Sequence, residues 1–176
     1  IYTNGLVAGN AQLVYSPPFN VFNPEVAPSP SNLHLPGNIV PDAIAACRNV
    51  DQTSDLYAVS AGKLYYFSST NQRNGSTAVQ VAESTMFTGV RTLFASSADS
   101  TSITVWGLNS SNQIFYASCP RISLTTNPSV WSVPLPILTD VEHVSLFISL
   151  SYSANTFFAH TGGSQLTKAT KSPETS

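Results

Sequence analysis

The residue types best suited to hold a polar ligand are concentrated in the middle of this sequence. Sugars, for example, are bound by an aromatic ring against their C–H face and by amide groups that pair with their hydroxyls. Trp106, Asn109, Asn112 and Gln113 offer that combination within one short segment. Trp131, followed by Ser-Val-Pro, is the aromatic residue that we expect to be exposed. These five residues form the predicted ligand-binding set.

Sequence patterns for catalysis or metal binding are missing. The sequence contains no Gly-x-Ser-x-Gly nucleophile turn, no His-Glu-x-x-His helix and no glycine-rich phosphate loop. Glu142 and His143 are neighbours, but adjacent residues on a strand point to opposite faces and do not form one acid–base pair. His34, His143 and His160 are too dispersed to suggest a metal site. We therefore predict no cofactor, no metal site and no enzymatic activity.

Glycoside hydrolysis is the enzymatic alternative that the sequence leaves open. It requires two carboxylates, about 5 Å or about 6.5 to 9.5 Å apart. Several acidic residues are predicted to lie in or near loops, but none recurs at matched positions: Asp51, Asp55, Asp99, Asp140 and Glu142. The segment 97–99 also lacks the glycine and tryptophan placement of the sialidase Asp-box. The acidic residues therefore favour a binding protein over a hydrolase.

Composition and charge restrict the class of partner. Only 9% of the residues are charged, and the seven Lys and Arg residues form no cluster of the kind that binds nucleic-acid phosphates. A surface rich in Ser, Thr, Asn and Gln is typical of extracellular β proteins, and N-glycosylation sequons begin at Asn74 and Asn109. No apolar run is long enough for a membrane helix. We predict a secreted glycoprotein without a membrane span.

A repeated β-hairpin dominates the sequence. Its copies are 55–67, 104–116 and 156–168, with a partial earlier copy at 6–15, and each has an apolar or aromatic pair, a small polar turn and a second β-rich run. Matched apolar residues recur about 50 positions apart, at Leu13, Leu64, Ile114 and Leu166. A further strand is expected before each hairpin, as at 90–95 and 141–147, and a fourth after it, as at 78–81 and 130–133.

Four short strands in about 40 to 50 residues are typical of a β-propeller blade. We predict one all-β repeat domain over 1–176, with a partial blade at 1–36, blades at 38–84 and 86–137, and a partial blade at 139–176. A β-sandwich is the alternative fold. The first unit lacks the innermost strand and the last stops before a fourth strand. A closed propeller needs at least four blades, so we expect further repeats or another subunit to close the ring.

The two cysteines have different positions in this repeat. The register places Cys47 on an inner strand and Cys119 just after the outer strand of a hairpin. Their Cα atoms are then expected to lie further apart than the roughly 7 Å that a disulfide allows. We predict two unbridged thiols.

The hairpin pattern carries a resemblance to a known family. Leu-Tyr-Ala-Val at 56–59 and Gly-Lys-Leu-Tyr at 62–65, repeated at 106–116, resemble the blade motifs of tachylectin-type and related fungal propeller lectins. The resemblance covers the repeats only, and the unit here is longer and more variable than in those lectins. It implies carbohydrate binding in clefts between adjacent blades.

These features predict a non-enzymatic, lectin-like module that binds glycans or glycoproteins. The alternative is a protein-interaction or scaffold propeller within a larger secreted protein or toxin. The Asn, Ser and Gly residues of the turns at 60–62, 109–112 and 161–164 also fit plain turn chemistry. Trp106 has the same repeat position as Tyr57 and Phe158, which favours packing between blades over ligand contact for that residue.

Overall fold

The computed structural model describes residues 2–7, 10–15, 31–49, 54–68, 78–96, 101–124, 131–151, 154–161 and 165–171. Side-chain environments are described for 33–37, 39–49, 54–68, 78–96, 101–124 and 131–141. Within these ranges the chain forms strands joined by turns, with three short 3₁₀ segments at Pro36–Asn38, Thr85–Phe87 and Arg121–Ser123. The all-β prediction is confirmed. In the described ranges, no helix has the length and apolarity to cross a membrane.

The strands form four antiparallel sheets, and in each sheet the neighbours follow chain order. The first sheet contains β1 to β3, at Tyr2–Val7, Asn10–Tyr15 and Ser31–Leu33. The second contains β4 to β7, at Ala43–Arg48, Ser54–Ser60, Lys63–Phe67 and Val79–Glu83. The third contains β8 to β11, at Thr92–Ser96, Ser102–Leu108, Ile114–Pro120 and Leu135–Leu138. The fourth contains β12 to β14, at Val141–Ser151, Ala154–Thr161 and Gln165–Lys171.

Each predicted hairpin is present as an antiparallel strand pair. They are β1–β2, β5–β6, β9–β10 and β13–β14. Ala61 and Gly62 join β5 to β6 with φ angles of 49° and 80°. Two central residues with positive φ give a type I′ turn, whose twist matches that of the flanking strands. The small residues at this turn therefore fix the register of the hairpin.

The second and third sheets share the same internal register. Tyr57 pairs with Tyr66 in the second sheet, and Trp106 pairs with Tyr116 in the third. The ring centroids are 5.4 Å apart in the first pair and 5.6 Å apart in the second, with interplanar angles of 36° and 39°. Each of the two hairpins thus has a cross-strand aromatic pair at the same position of the repeat.

The predicted fourth strand of the unit at 86–137 is shifted in the structure. The sequence placed it at 130–133, but β11 begins at Leu135. Ser132 does bond to β10, because its N–H donates to the Ser118 carbonyl over 2.7 Å and its hydroxyl accepts from the Ser118 N–H over 2.9 Å. Pro134 has no N–H to continue this ladder, and the regular strand starts after it.

Apolar side chains cover both faces of the second and third sheets. The space between these two sheets holds the largest cluster, formed by residues of β4 to β10: Ala43, Ala45, Cys47, Tyr57, Val59, Leu64, Tyr66, Val81, Leu93, Ile103, Val105, Phe115, Ala117 and Cys119. Separate clusters cover the opposite face of each sheet. The central strands β5 and β9 are accordingly buried along almost their whole length.

The first strands of successive sheets are neighbours. β4 contacts β8, and β8 contacts β12. The second, third and fourth sheets are therefore arranged in series, with the first strand of each sheet next to the first strand of the following sheet.

Both cysteines lie in the cluster between the second and third sheets. They are not joined by a disulfide, as predicted. The predicted position of Cys119 was wrong in detail, because this residue lies within β10 rather than after it. Burial raises the pKa of its thiol.

Candidate functional site

Asn109, a predicted ligand residue, holds the β9–β10 turn together. Its Oδ1 accepts from the N–H groups of Ser111 and Gln113, over 3.0 and 3.1 Å. Its Nδ2 donates to Gln113 Oε1 over 3.3 Å, and the residue is only 3% exposed. Asparagine often forms such local bonds in place of backbone pairing. The amide is therefore occupied within the protein.

The neighbouring residues of this turn are tied to other segments. Arg91 Nη2 donates to Asn112 Oδ1 over 2.6 Å, and the Asn112 carbonyl accepts from the N–H of Val141 over 2.8 Å. Asn112 has a φ of 58°, which asparagine tolerates better than most residues. Asn112 thus joins the third sheet to β12, while Gln113 is bonded to Asn109 within the turn.

The sequon at Asn109 lies in the same occupied turn. A glycan would replace one of the two hydrogens of Nδ2, the atom that bonds to Gln113, and would need space around a buried side chain. The folded turn is therefore incompatible with a glycan at Asn109. The other sequon, at Asn74, lies outside the described residues.

Trp106 is buried on the face of the third sheet that is turned towards the fourth. It packs with Leu108, Ile114 and Val141 in one cluster, beside the ring of Tyr116. This is the packing position that its repeat register indicated.

Trp131 is buried as well, so the prediction that it is exposed was wrong. Its exposed fraction is 6%, and it belongs to the cluster between the second and third sheets. Its ring meets that of Tyr57 edge-on, with centroids 6.3 Å apart. The β10–β11 connection turns the indole inward, because the pairing of Ser132 with Ser118 holds this segment against the sheet. Trp131 and Trp106 thus lie on opposite sides of the third sheet.

A group of buried polar residues surrounds Trp131. We call it the polar cluster, and it comprises Asn49, Asp55, Tyr57, Tyr66, Arg121 and Trp131. The hydroxyl of Tyr66 donates to Asp55 Oδ1 over 3.2 Å, and Arg121 Nη1 lies 3.7 Å from Asp55 Oδ2. Arg121 Nη2 donates to Asn49 Oδ1 over 2.9 Å. Arg121 from the third sheet therefore holds two polar residues of the second.

Three polar atoms of this cluster are buried without a hydrogen-bond partner among the described residues. They are two donors, the hydroxyl of Tyr57 and the indole Nε1 of Trp131, and one acceptor, Oδ2 of Asp55. Burial raises the pKa of Tyr57 far above its ordinary value, and the charges of Cys47 and Asp55 raise it further. The Tyr57 hydroxyl therefore keeps its proton. A buried polar group without a partner costs about 1 to 3 kcal/mol, so three in one place require an explanation.

Strand geometry brings these residues together. Asp55 and Tyr57 are two positions apart on β5 and so share one face of the sheet. Tyr66 stands beside Tyr57 on β6, and Cys47 stands beside Asp55 on β4. Arg121 opens the 3₁₀ segment that follows β10. The cluster thus lies at the end of the sheets opposite the β5–β6 and β9–β10 turns.

The sequence interpretation missed most of this cluster. Asp55 was predicted to lie in or near a loop, but it is buried in β5. A carboxylate inside an otherwise apolar strand was the available signal, because a buried charge needs a partner. The partner, Arg121, lies far away in sequence, so no local pattern indicated the pair.

The cluster combines the groups that bind a hydroxylated ligand. Tyr57 and Trp131 are donors, Asp55 Oδ2 is an acceptor and Arg121 is a cation with a side chain 30% exposed. Three aromatic rings, those of Tyr57, Tyr66 and Trp131, lie beside them. Within the described part of the chain, no group of three or more His, Cys, Asp or Glu residues is placed to hold a metal ion.

Two comparisons with known proteins found no relative of this chain. A scan against protein-family models finds none that matches the sequence, and a search of the curated proteins finds no match. The resemblance to propeller lectins therefore rests on the hairpin motif.

Proposed function

We propose that this chain is a non-enzymatic carbohydrate-binding module of the repeat β-propeller type, acting outside the cell. Two four-stranded sheets built in chain order, arranged in series with adjacent first strands, support the propeller over the sandwich. A sandwich packs two sheets and leaves their outer faces towards solvent, whereas the second and third sheets here carry apolar clusters on both faces.

The observation that carries the proposal is the pair of unpartnered donors in the polar cluster. The Tyr57 hydroxyl and the Trp131 indole N–H are buried beside Asp55, whose Oδ2 has an ion pair at 3.7 Å but no shorter bond. A vicinal pair of sugar hydroxyls supplies acceptors for the two donors and a donor for the carboxylate. The same ligand presents C–H groups to the aromatic rings.

The cluster provides a route for such a ligand. Arg121 is the cation of this cluster, and its side chain is partly exposed. Its guanidinium contacts both Asp55 and Asn49. Arg121 is therefore the side chain whose rotation would open a way to the carboxylate. We propose that the sugar enters past Arg121 and is then held by Tyr57, Trp131 and Asp55.

Binding is favoured over hydrolysis because the cluster holds one carboxylate. Asp55 is its acidic residue, and glycoside hydrolysis uses two at defined separations. In addition, Asp55 already accepts a bond from Tyr66 and faces Arg121, so it is held as an acceptor. This arrangement suits recognition of hydroxyls.

A glycan array tests the proposal. Wild type is expected to bind at least one glycan, and free sugar is expected to compete. Trp131→Phe keeps an aromatic ring and removes the N–H donor, so binding should weaken by about ten-fold. Tyr116→Phe, which changes the ring equivalent to Tyr66 in the next sheet, is the matched control and should bind as wild type does. Absence of binding to every glycan would reject the proposal.

A second candidate, a protein-interaction scaffold, is favoured by one exposed apolar row. Val133, Leu135 and Ile137 alternate along β11 and the residues before it, with exposed fractions of 77%, 49% and 40%. β11 is the last strand of its sheet, so this row lies at an edge. Protein binding that free sugars do not compete, and that Leu135→Ser removes, would support the scaffold instead.

A further inference from the structure

We infer that the chain binds a single sugar, between the second and third sheets, and that Asp55 is the residue that makes this space a site. This inference rests on the proposed function. Its support comes from the strand register, because the register shows which residues of the second and third sheets occupy equivalent positions.

The corresponding positions of the second and third sheets differ in two ways. Asp55 pairs with Cys47 in the second sheet, and Thr104 pairs with Ser96 in the third. Because Tyr57 and Trp106 both follow two residues later, Thr104 is the counterpart of Asp55. The acidic acceptor of the second sheet is thus replaced by a neutral hydroxyl in the third.

The next pair of residues on the same face differs in the size of its side chains. Ala45 pairs with Tyr57, whereas Phe94 pairs with Trp106. Phe94 packs into the apolar cluster of Trp106, Leu108, Ile114 and Val141. Among the described side chains, the face of the third sheet is therefore filled by two large rings where the second sheet has one ring and an alanine. This leaves less room for a ligand beside Trp106.

The face of the second sheet turned towards the first is apolar. Its cluster comprises Leu33, Leu35, Leu56, Ala58, Tyr65, Phe67 and Ala78. His34, between Leu33 and Leu35 in the sequence, has a buried Nδ1 without a hydrogen-bond partner among the described residues. Among the described side chains, Asp55 is the buried acidic residue, and it lies on the opposite face of the second sheet.

Asp55 acts together with a cation that the opposite sheet supplies. Its Oδ1 is oriented by Tyr66 at 3.2 Å, and Oδ2 faces Arg121 at 3.7 Å. A charged acceptor strengthens a hydrogen bond from a ligand hydroxyl. Loss of that charge should weaken the sugar more than any change at Thr104.

Calorimetric titration of three proteins tests this inference. The probes are the methyl glycosides of glucose, galactose, mannose, fucose, N-acetylglucosamine and N-acetylgalactosamine. Wild type should bind one equivalent of the preferred glycoside. Asp55→Asn should weaken it by about ten- to a hundred-fold. Thr104→Val, at the corresponding position of the third sheet, should bind as wild type does. Thermal unfolding confirms that each variant is folded.

The outcomes separate this inference from the proposed function. Two or more equivalents per chain, or wild-type affinity in folded Asp55→Asn, would overturn the single site while leaving carbohydrate binding intact. Binding that Thr104→Val removes would place the site between the third and fourth sheets and would also overturn it. Absence of binding to all six glycosides, together with an empty glycan array, rejects the proposed function and this inference with it.

Discussion

The ring of Trp131 meets the ring of Tyr57 edge-on at a centroid distance of 6.3 Å and an interplanar angle of 74°. The contact joins the β10–β11 connection to the second sheet. Each of the two residues also carries a buried donor without a partner in the described structure. Aromatic packing therefore holds both donors in place in the buried cluster.

Tyr57→Phe and Tyr66→Phe should have opposite effects on stability. The Tyr57 hydroxyl has no partner, so its removal should leave the free energy of unfolding unchanged or raise it by about 1 kcal/mol. The Tyr66 hydroxyl donates to buried Asp55, so its removal should lower that free energy by about 1 to 3 kcal/mol. Urea unfolding measures both. Equal losses in the two variants would show that Tyr57 has a hydrogen bond.

The protein should lose stability at alkaline pH. Burial raises the pKa of Tyr57 and of Tyr66, with Asp55 adding to both shifts. The unfolded chain releases these protons near pH 10 while the folded chain keeps them, so the free energy of unfolding falls as the pH rises above about 10. The loss is up to about 1.4 kcal/mol per pH unit for each tyrosine. Urea unfolding of Tyr57→Phe over the same range should show a smaller slope, and an unchanged slope would contradict the assignment.

Gly107→Ala should destabilise the third sheet. A Cβ at this position would lie 2.5 Å from Cζ of Phe115, which pairs with Gly107 across the β9–β10 ladder. The phenyl ring must then move, at a cost of about 1 to 3 kcal/mol. The double variant Gly107→Ala with Phe115→Leu should recover part of the loss of Gly107→Ala, measured against Phe115→Leu alone in a double-mutant cycle. Strict additivity would show that the two residues do not touch.

Asn109 should carry no glycan when the protein is secreted from a glycosylating host. Its Nδ2 is engaged with Gln113 in a buried turn. Peptide mass spectrometry should find Asn109 unmodified, and Asn109→Ala should lower the free energy of unfolding by about 1 to 2 kcal/mol. Ser111→Ala also destroys the sequon but keeps the Asn109 side chain, so its stability should stay near that of wild type. A glycosylated Asn109 in folded protein would contradict this turn geometry.

The hairpins could be predicted from sequence because their signals are local. Alternating apolar residues on either side of a small turn, as around Ala61 and Gly62, specify strand, turn and register within a dozen residues. The shifted strand β11 shows where this reasoning ends. Its start depends on Pro134 and on the bonds between Ser132 and Ser118, which belong to different strands.

The candidate site was harder to predict because it depends on two sheets. The residue type alone does not show whether an asparagine or a tryptophan binds a ligand or stabilises the fold. Asn109 stabilises a turn. Asp55 and Arg121 become partners only when the second and third sheets meet. Trp131 was selected for its aromatic ring, and the structure places that ring in a buried cluster with Tyr57.

The most direct test of carbohydrate binding between the second and third sheets follows the two indole N–H signals of the protein by NMR. The sequence contains two tryptophans, Trp106 and Trp131, and Trp131→Phe assigns their signals. During titration with the preferred methyl glycoside, the Trp131 signal should shift and saturate as its N–H gains an acceptor, while the Trp106 signal should stay in place. Saturable binding that leaves the Trp131 signal unmoved would contradict the proposed site.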